Sequence, residues 1–214
     1  MANTSLAPIV DRADFFTELD GQLRDGNAAL ALTDLDGFAA INQSRGRDVG
    51  DAVLLAWDRV LRANVAGEGA GGREGAGRQG SVARLGGDEF AVVLPDTSAE
   101  IAVVLLEELR RHLAGMSIEG STVTASAGVA AKPPHGATAE ELYRAAGEAL
   151  MRAKRDGRDR VAMYIEEKMV LKSNYYSKAN LERLAKLSRA SDRTEASLLR
   201  EALDDLLDKH KNAL

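Results

Sequence analysis

Apolar positions in this chain come either in short dense runs or at helical spacing. Ala28 to Leu35 is almost continuously apolar, the pattern of a strand buried on both faces. It ends in Thr33-Asp34-Leu35-Asp36-Gly37-Phe38, after which a helical pattern resumes. Val82 to Leu85 and Phe90 to Leu94 are a second dense pair, separated by Gly86-Gly87-Asp88-Glu89, and predict a β-hairpin. Between the helix that carries Trp57 and this hairpin, Gly67 to Gly80 has seven glycines in fourteen residues and predicts a surface insertion. Near the C-terminus, Met169 to Tyr176 has the look of a strand. Leu181, Leu184, Ala185 and Leu187 then follow helical spacing. Ser191-Asp192-Arg193-Thr194 supplies a turn and an N-cap, and Leu198, Leu199, Ala202, Leu203, Leu206 and Leu207 mark a second amphipathic helix.

Two of these junctions carry acid. The hairpin turn holds Asp88 and Glu89 beside Gly86-Gly87, where glycine lets the backbone take positive φ and lets a phosphate approach closely. Asp34 and Asp36 stand where a buried strand ends, a costly place for a carboxylate unless a cation or hydrogen bonds compensate. A turn or a helix cap would explain either pair taken alone. Together they sit in an ordered series: Asp34 to Asn42, then Gly46 and Gly50-Asp51, the hairpin, Thr124 to Ala130, and Ala149 to Val161.

That series resembles the GGDEF family of diguanylate cyclases over about Arg12 to Ile165. The resemblance implies an α+β fold, a palm-like nucleotide-cyclase sheet flanked by helices, and a reaction joining two GTP molecules into cyclic di-GMP. It further implies that Asp34, the Leu35 carbonyl, Asp88 and Glu89 hold Mg²⁺ or Mn²⁺, with Asp88 and Glu89 catalytic. Phe38, Asn42, Asp51, Gly86, Gly87, Lys154 and Arg158 would bind GTP, Asn42 and Asp51 reading the guanine edge. Lys154 and Arg158, four apart, are expected on one helical face, gripping the terminal phosphates.

The chain departs from the family pattern in several places, Gln43 standing where Asp is common and Arg47 where His is common, and three further departures bear on function. Ala39 replaces a phosphate-binding Lys, so one phosphate clamp is missing. The entry motif is reduced to Pro8-Ile9-Val10-Asp11-Arg12, and no upstream sensor is expected. The Arg and Asp of the product-inhibition motif would fall at Gly77 and Gly80, so no inhibitory site is expected.

Composition narrows the class. The 214 residues include no cysteine, which excludes disulfides and thiolate chemistry, and the three histidines are isolated. No signal peptide or apolar run long enough for a membrane span is seen, so a cytoplasmic protein without a membrane partner is expected. The net charge of −5 hides an asymmetry: residues 168–214 carry ten Lys/Arg against seven Asp/Glu. Strand, helix, turn, helix with basic residues at its start resembles a ribbon-helix-helix module, which implies a homodimer that lays paired strands into the DNA major groove. Lys172, Asn174, Tyr176 and Lys178 are the candidate DNA contacts. The expected organisation is therefore residues 1–165 as a cyclase domain with 67–80 inserted, and 166–214 as a DNA-binding and dimerisation module. GTP, cyclic di-GMP as product or ligand, and DNA are the expected partners. The alternative is a catalytically silent domain that senses GTP or cyclic di-GMP and regulates DNA binding by the tail.

Overall fold

The structure, a computed structural model, describes residues 6–24, 26–65, 80–166, 175–191 and 194–210. The chain divides into two compact units, Met1–Glu167 and Lys168–Leu214.

In the first unit the elements run α1 (Arg12–Leu23), β1 (Ala28–Leu35), α2 (Phe38–Arg45), α3 (Arg47–Val65), β2 (Ser81–Arg84), β3 (Glu89–Pro95), α4 (Ala99–Ala114), β4 (Ala125–Lys132), α5 (Ala139–Arg155) and β5 (Val161–Met163). The strands form a mixed sheet in the order β2-β3-β1-β4-β5, antiparallel except for the β4–β5 pair. This is the α+β sheet flanked by helices that the family resemblance implies. The dense run Ala28 to Leu35 is its central strand, buried on both faces apart from half-exposed Asp34. Strand alternation sends Ala29, Ala31 and Leu35 into one core with Trp57 and Leu61 of α3 and Leu106 of α4. Leu30 and Leu32 go to the other face, against Phe15 and Leu19 of α1 and Leu142 and Leu150 of α5.

Two details fix how the helices sit. The indole N–H of buried Trp57 donates to the Thr33 hydroxyl at 3.0 Å, satisfying both polar groups inside the α3 face. On the other face α5 lies directly on β4 at Gly128, where a Cβ would come within 2.1 Å of the Ala146 carbonyl oxygen and the Leu150 nitrogen. Helix α5 starts at a capping box, the Thr138 hydroxyl accepting from the Glu141 N–H and the Glu141 carboxylate reaching back to the Thr138 N–H.

In the second unit α6 (Lys178–Ser191) and α7 (Glu195–Lys209) occupy the two segments of helical spacing. Leu181, Leu187, Leu203, Leu206 and Leu207 are each more than 40% exposed, and Leu198 is buried. Tyr176, Leu181, Leu184, Leu187 and Leu199 line an apolar groove. The strand expected over Met169 to Tyr176 lies outside the described residues up to Asn174, as does the glycine-rich stretch up to Gln79. Among the described residues no helix is long and apolar enough to cross a membrane.

Candidate active site

Register brings the two acidic junctions together. Asp34 stands opposite Glu89 on β3 and Ser126 on β4, and both acids share the parity of residues facing α1 and α5. Asp88 precedes Glu89 in the hairpin turn. Its negative charge acts on Asp34. Burial raises the Asp34 carboxyl above its usual range, and Asp88 and Asp36 push the same way against the opposing pull of Lys154. Lys154, in the last turn of α5, pairs with Asp34 at 2.7 Å. Glu89 accepts a 3.3 Å hydrogen bond from the Tyr143 hydroxyl. Arg12 lies over the Tyr143 ring, 4.9 Å from its centroid.

The hairpin turn is held by a side chain that sequence reasoning left out. Arg84 donates to the Gly86 carbonyl at 3.1 Å and to the Gly87 carbonyl at 2.7 Å. These bonds close the turn without left-handed backbone: neither Gly86 nor Gly87 has positive φ, so the freedom glycine permits there goes unused. What glycine contributes here is open space, since a Cβ at Gly87 would meet nothing within 4 Å.

Asp36 differs in kind from Asp34. It does not cap α2, whose N-cap is Gly37 at φ 70°. Its Oδ1 accepts from the Ser126 hydroxyl at 2.7 Å, and its Oδ2 accepts from the Thr124 hydroxyl at 2.8 Å and the Asp159 N–H at 3.0 Å. Hydrogen bonds, not a cation, compensate this strand-end acid.

Helices α2 and α3 bring up the next group. Phe38 opens α2 and packs partly buried on the core, which fixes the helix that carries Asn42. The Asn42 side chain fills the space beside Gly50, where a Cβ would lie 2.0 Å from its Oδ1. Asp51, the next residue, is exposed. Ala39 is exposed as well.

The expectation for Lys154 and Arg158 needs correction. Helix α5 ends at Arg155 with Asp156 as C-cap, so Arg158 lies beyond it and the two do not share a helical face. Gly157, Arg158 and Asp159 have φ of 115°, 62° and 49°, a left-handed turn that sends the chain back into β5. Arg158 is exposed, its N–H bonded to the Ala153 carbonyl at 3.0 Å. Of the tail candidates, Tyr176 and Lys178 are exposed, and Lys172 and Asn174 lie outside the described residues.

Comparison with known proteins places this arrangement. The family model described as diguanylate cyclase, GGDEF domain, matches residues 5–160. Over 141 residues, 64% of this chain, the sequence is 39% identical to diguanylate cyclase DgcP of Pseudomonas aeruginosa, of whose length the match covers 19%. Among solved structures, the GGDEF domain of YfiN from Pseudomonas aeruginosa is 30% identical with a TM-score of 0.62, covering 74% of this chain and 98% of that one. The GGDEF domain of DgcB from Caulobacter crescentus, solved in complex with cyclic di-GMP, is 27% identical with a TM-score of 0.63, covering 74% and 93%.

Proposed function

Because the chain belongs to the GGDEF family of diguanylate cyclase domains, we propose that it converts two GTP into cyclic di-GMP and pyrophosphate in a Mg²⁺- or Mn²⁺-dependent reaction. Register supports this reading: Asp34 at the β1 end stands opposite Glu89 beside the turn that carries Asp88, and Lys154 is drawn to Asp34 at 2.7 Å. A hard divalent cation fits such a donor set, two carboxylates and a backbone carbonyl, all oxygen. Asp34, Asp88 and the Leu35 carbonyl would hold it, with Glu89 alongside. Bound there, it supplies neutralisation of the charge that builds on the phosphates during transfer.

The chain's own groups take the remaining work. Asn42 and Asp51 offer an amide and a carboxylate to the guanine edge. Lys154, released from Asp34, and Arg158 reach the terminal phosphates, while Gly86 and Gly87 leave room beside the turn. Glu89, hydrogen-bonded by Tyr143, would help bind the metal or receive the proton of the attacking 3′-hydroxyl. Each hydroxyl attacks the other nucleotide's α-phosphate with pyrophosphate leaving, so two copies of the domain must face each other.

The tail supplies that pairing in the same proposal. Its two helices leave a leucine-rich face exposed, and a second copy of the chain is the occupant that would cover it. A dimer through the tail raises the local concentration of one active site around the other. With basic residues concentrated in the sequence from Lys168 to Arg193 and Tyr176 and Lys178 exposed, the paired tail forms a DNA-binding ribbon-helix-helix unit, so cytoplasmic cyclase and transcription regulator share one chain. Ala39 favours a second reading, a silent domain that binds GTP or cyclic di-GMP and regulates the tail.

Wild-type product formation separates the two readings, and Asp88→Ala then tests the metal assignment. With Asp88 as a metal ligand the variant loses cyclic di-GMP formation altogether while the fold, followed by circular dichroism, persists. Undiminished product formation in Asp88→Ala would reject the metal assignment.

A further inference from the structure

The segment that carries Arg158 is strained and yet has no helix to hold it. Arg158 and Asp159 both adopt left-handed backbone, a conformation that side-chain-bearing residues keep only where their surroundings impose it. The surroundings here are a chain of charge-assisted bonds. The Asp159 N–H donates to Asp36 Oδ2 at 3.0 Å, and Asp36 is itself anchored by the Thr124 and Ser126 hydroxyls of β4 and the loop before it. From the other side Arg110 of α4 pairs through Nη1 with the Asp159 carboxylate and through Nη2 with Glu107 at 2.9 Å. Glu107 closes the chain by accepting the Val161 N–H at 3.0 Å. Burial acts to raise the Glu107 carboxyl, but Arg110 and the Val161 N–H hold it below its usual range, so the acid stays ionised within the bracket. Asp159 is thus gripped at both its N–H and its carboxylate, and Val161, two residues on, is pinned to the same helix.

From this bracket we infer that Asp36 and Arg110 are positioning residues: they hold the 157–159 turn in the conformation that presents Arg158 to the triphosphate of the nucleotide. The inference rests on the phosphate role given to Arg158 above. It separates Asp36 from the metal set despite its place two residues after Asp34, because its oxygens are committed to hydroxyls and an amide. It also gives function to Arg110, which lies on a helix outside the nucleotide site. A guanidinium suits the task, since its planar fork fixes the directions in which it addresses the two carboxylates.

The test uses the full chain with a non-hydrolysable GTP analogue and Mg²⁺. Arg110→Met is expected to weaken analogue binding by roughly tenfold, about the loss given by Arg158→Ala, as for one charge-assisted phosphate contact. Combining the two should cost little more than either alone. Preference for the GTP analogue over the ATP analogue, set by Asn42 and Asp51, should be unchanged. Arg110→Lys, which keeps the charge and protects the fold, should fall between wild type and Arg110→Met. Independently of nucleotide, amide hydrogen exchange in the segment 156–161 should quicken in Arg110→Met and Asp36→Asn, while β1 stays protected. Unchanged exchange in that segment, or additive losses in the double variant, would overturn the inference alone. Undiminished analogue binding by Arg158→Ala would overturn it together with the phosphate role of Arg158.

Discussion

At the residue scale, the site depends on which atoms have room to move. Gly50 illustrates this, because the Asn42 side chain occupies the volume a Cβ would take. Gly50→Ala should therefore push Asn42 off the guanine edge and raise KM for GTP by roughly tenfold, the loss of about one hydrogen bond in a polar site. An unchanged KM, measured by initial rates, would show that Asn42 does not contact the base. Ala39 poses the reverse case. Restoring a cation with Ala39→Lys is expected to tighten GTP binding or raise turnover by roughly tenfold or more, since a charge-assisted hydrogen bond contributes about 1.5–3 kcal/mol. If calorimetry and rates both stay put, another cation already serves that phosphate. Much of this was legible in the sequence, because Asp34, Asp88 and Glu89 stand at visible strand ends and turns. The roles of Asp36, Arg84, Arg110 and Tyr143 were not, since each depends on a partner far along the chain or on a backbone carbonyl.

At the element scale, the central strand and the hairpin arise directly from their dense apolar runs, and both tail helices from their leucine spacing. Where pattern reading fell short was the end of α5. A four-residue spacing from Lys154 to Arg158 looks helical, but Asp156-Gly157 stops the helix, and tertiary bonds from Asp36 and Arg110 hold Asp159 in the turn beyond it. Helix α5 carries Tyr143 and Lys154 to the acids only because Gly128 lets it lie on β4. Gly128→Ala should separate the two elements and destabilise the first unit by about 1–3 kcal/mol, as overpacking in a core does. Thermal melts would show this as a clear drop in Tm. A variant as stable as the wild type would mean that α5 can shift without cost, and that the site tolerates looser placement than proposed.

At the scale of the whole molecule, two units with different charge share one chain. The Lys168–Leu214 unit carries +3 and leaves −8 to the remainder, so the tail proposed to pair and to bind DNA is the basic end of the chain. Placing Glu at both Leu203 and Leu206 should convert a dimer into a monomer in sedimentation experiments, and cyclase activity should fall with it, since product formation needs two facing sites. Duplex DNA binding by the full chain should weaken steeply as salt rises, each neutralised phosphate releasing counterions. A dimer that ignores DNA at low salt would leave the tail as an assembly device alone.

The claim on which all three scales depend is that the acidic cluster performs chemistry rather than only binding. Incubating the purified full chain with GTP and Mg²⁺, and identifying the products by mass spectrometry, addresses it directly. The account predicts cyclic di-GMP with two pyrophosphates per molecule formed, and none when Mg²⁺ is removed by chelation. Tight Mg²⁺-dependent binding of GTP with no cyclic di-GMP formed, at protein concentrations where the chain is dimeric, would contradict it.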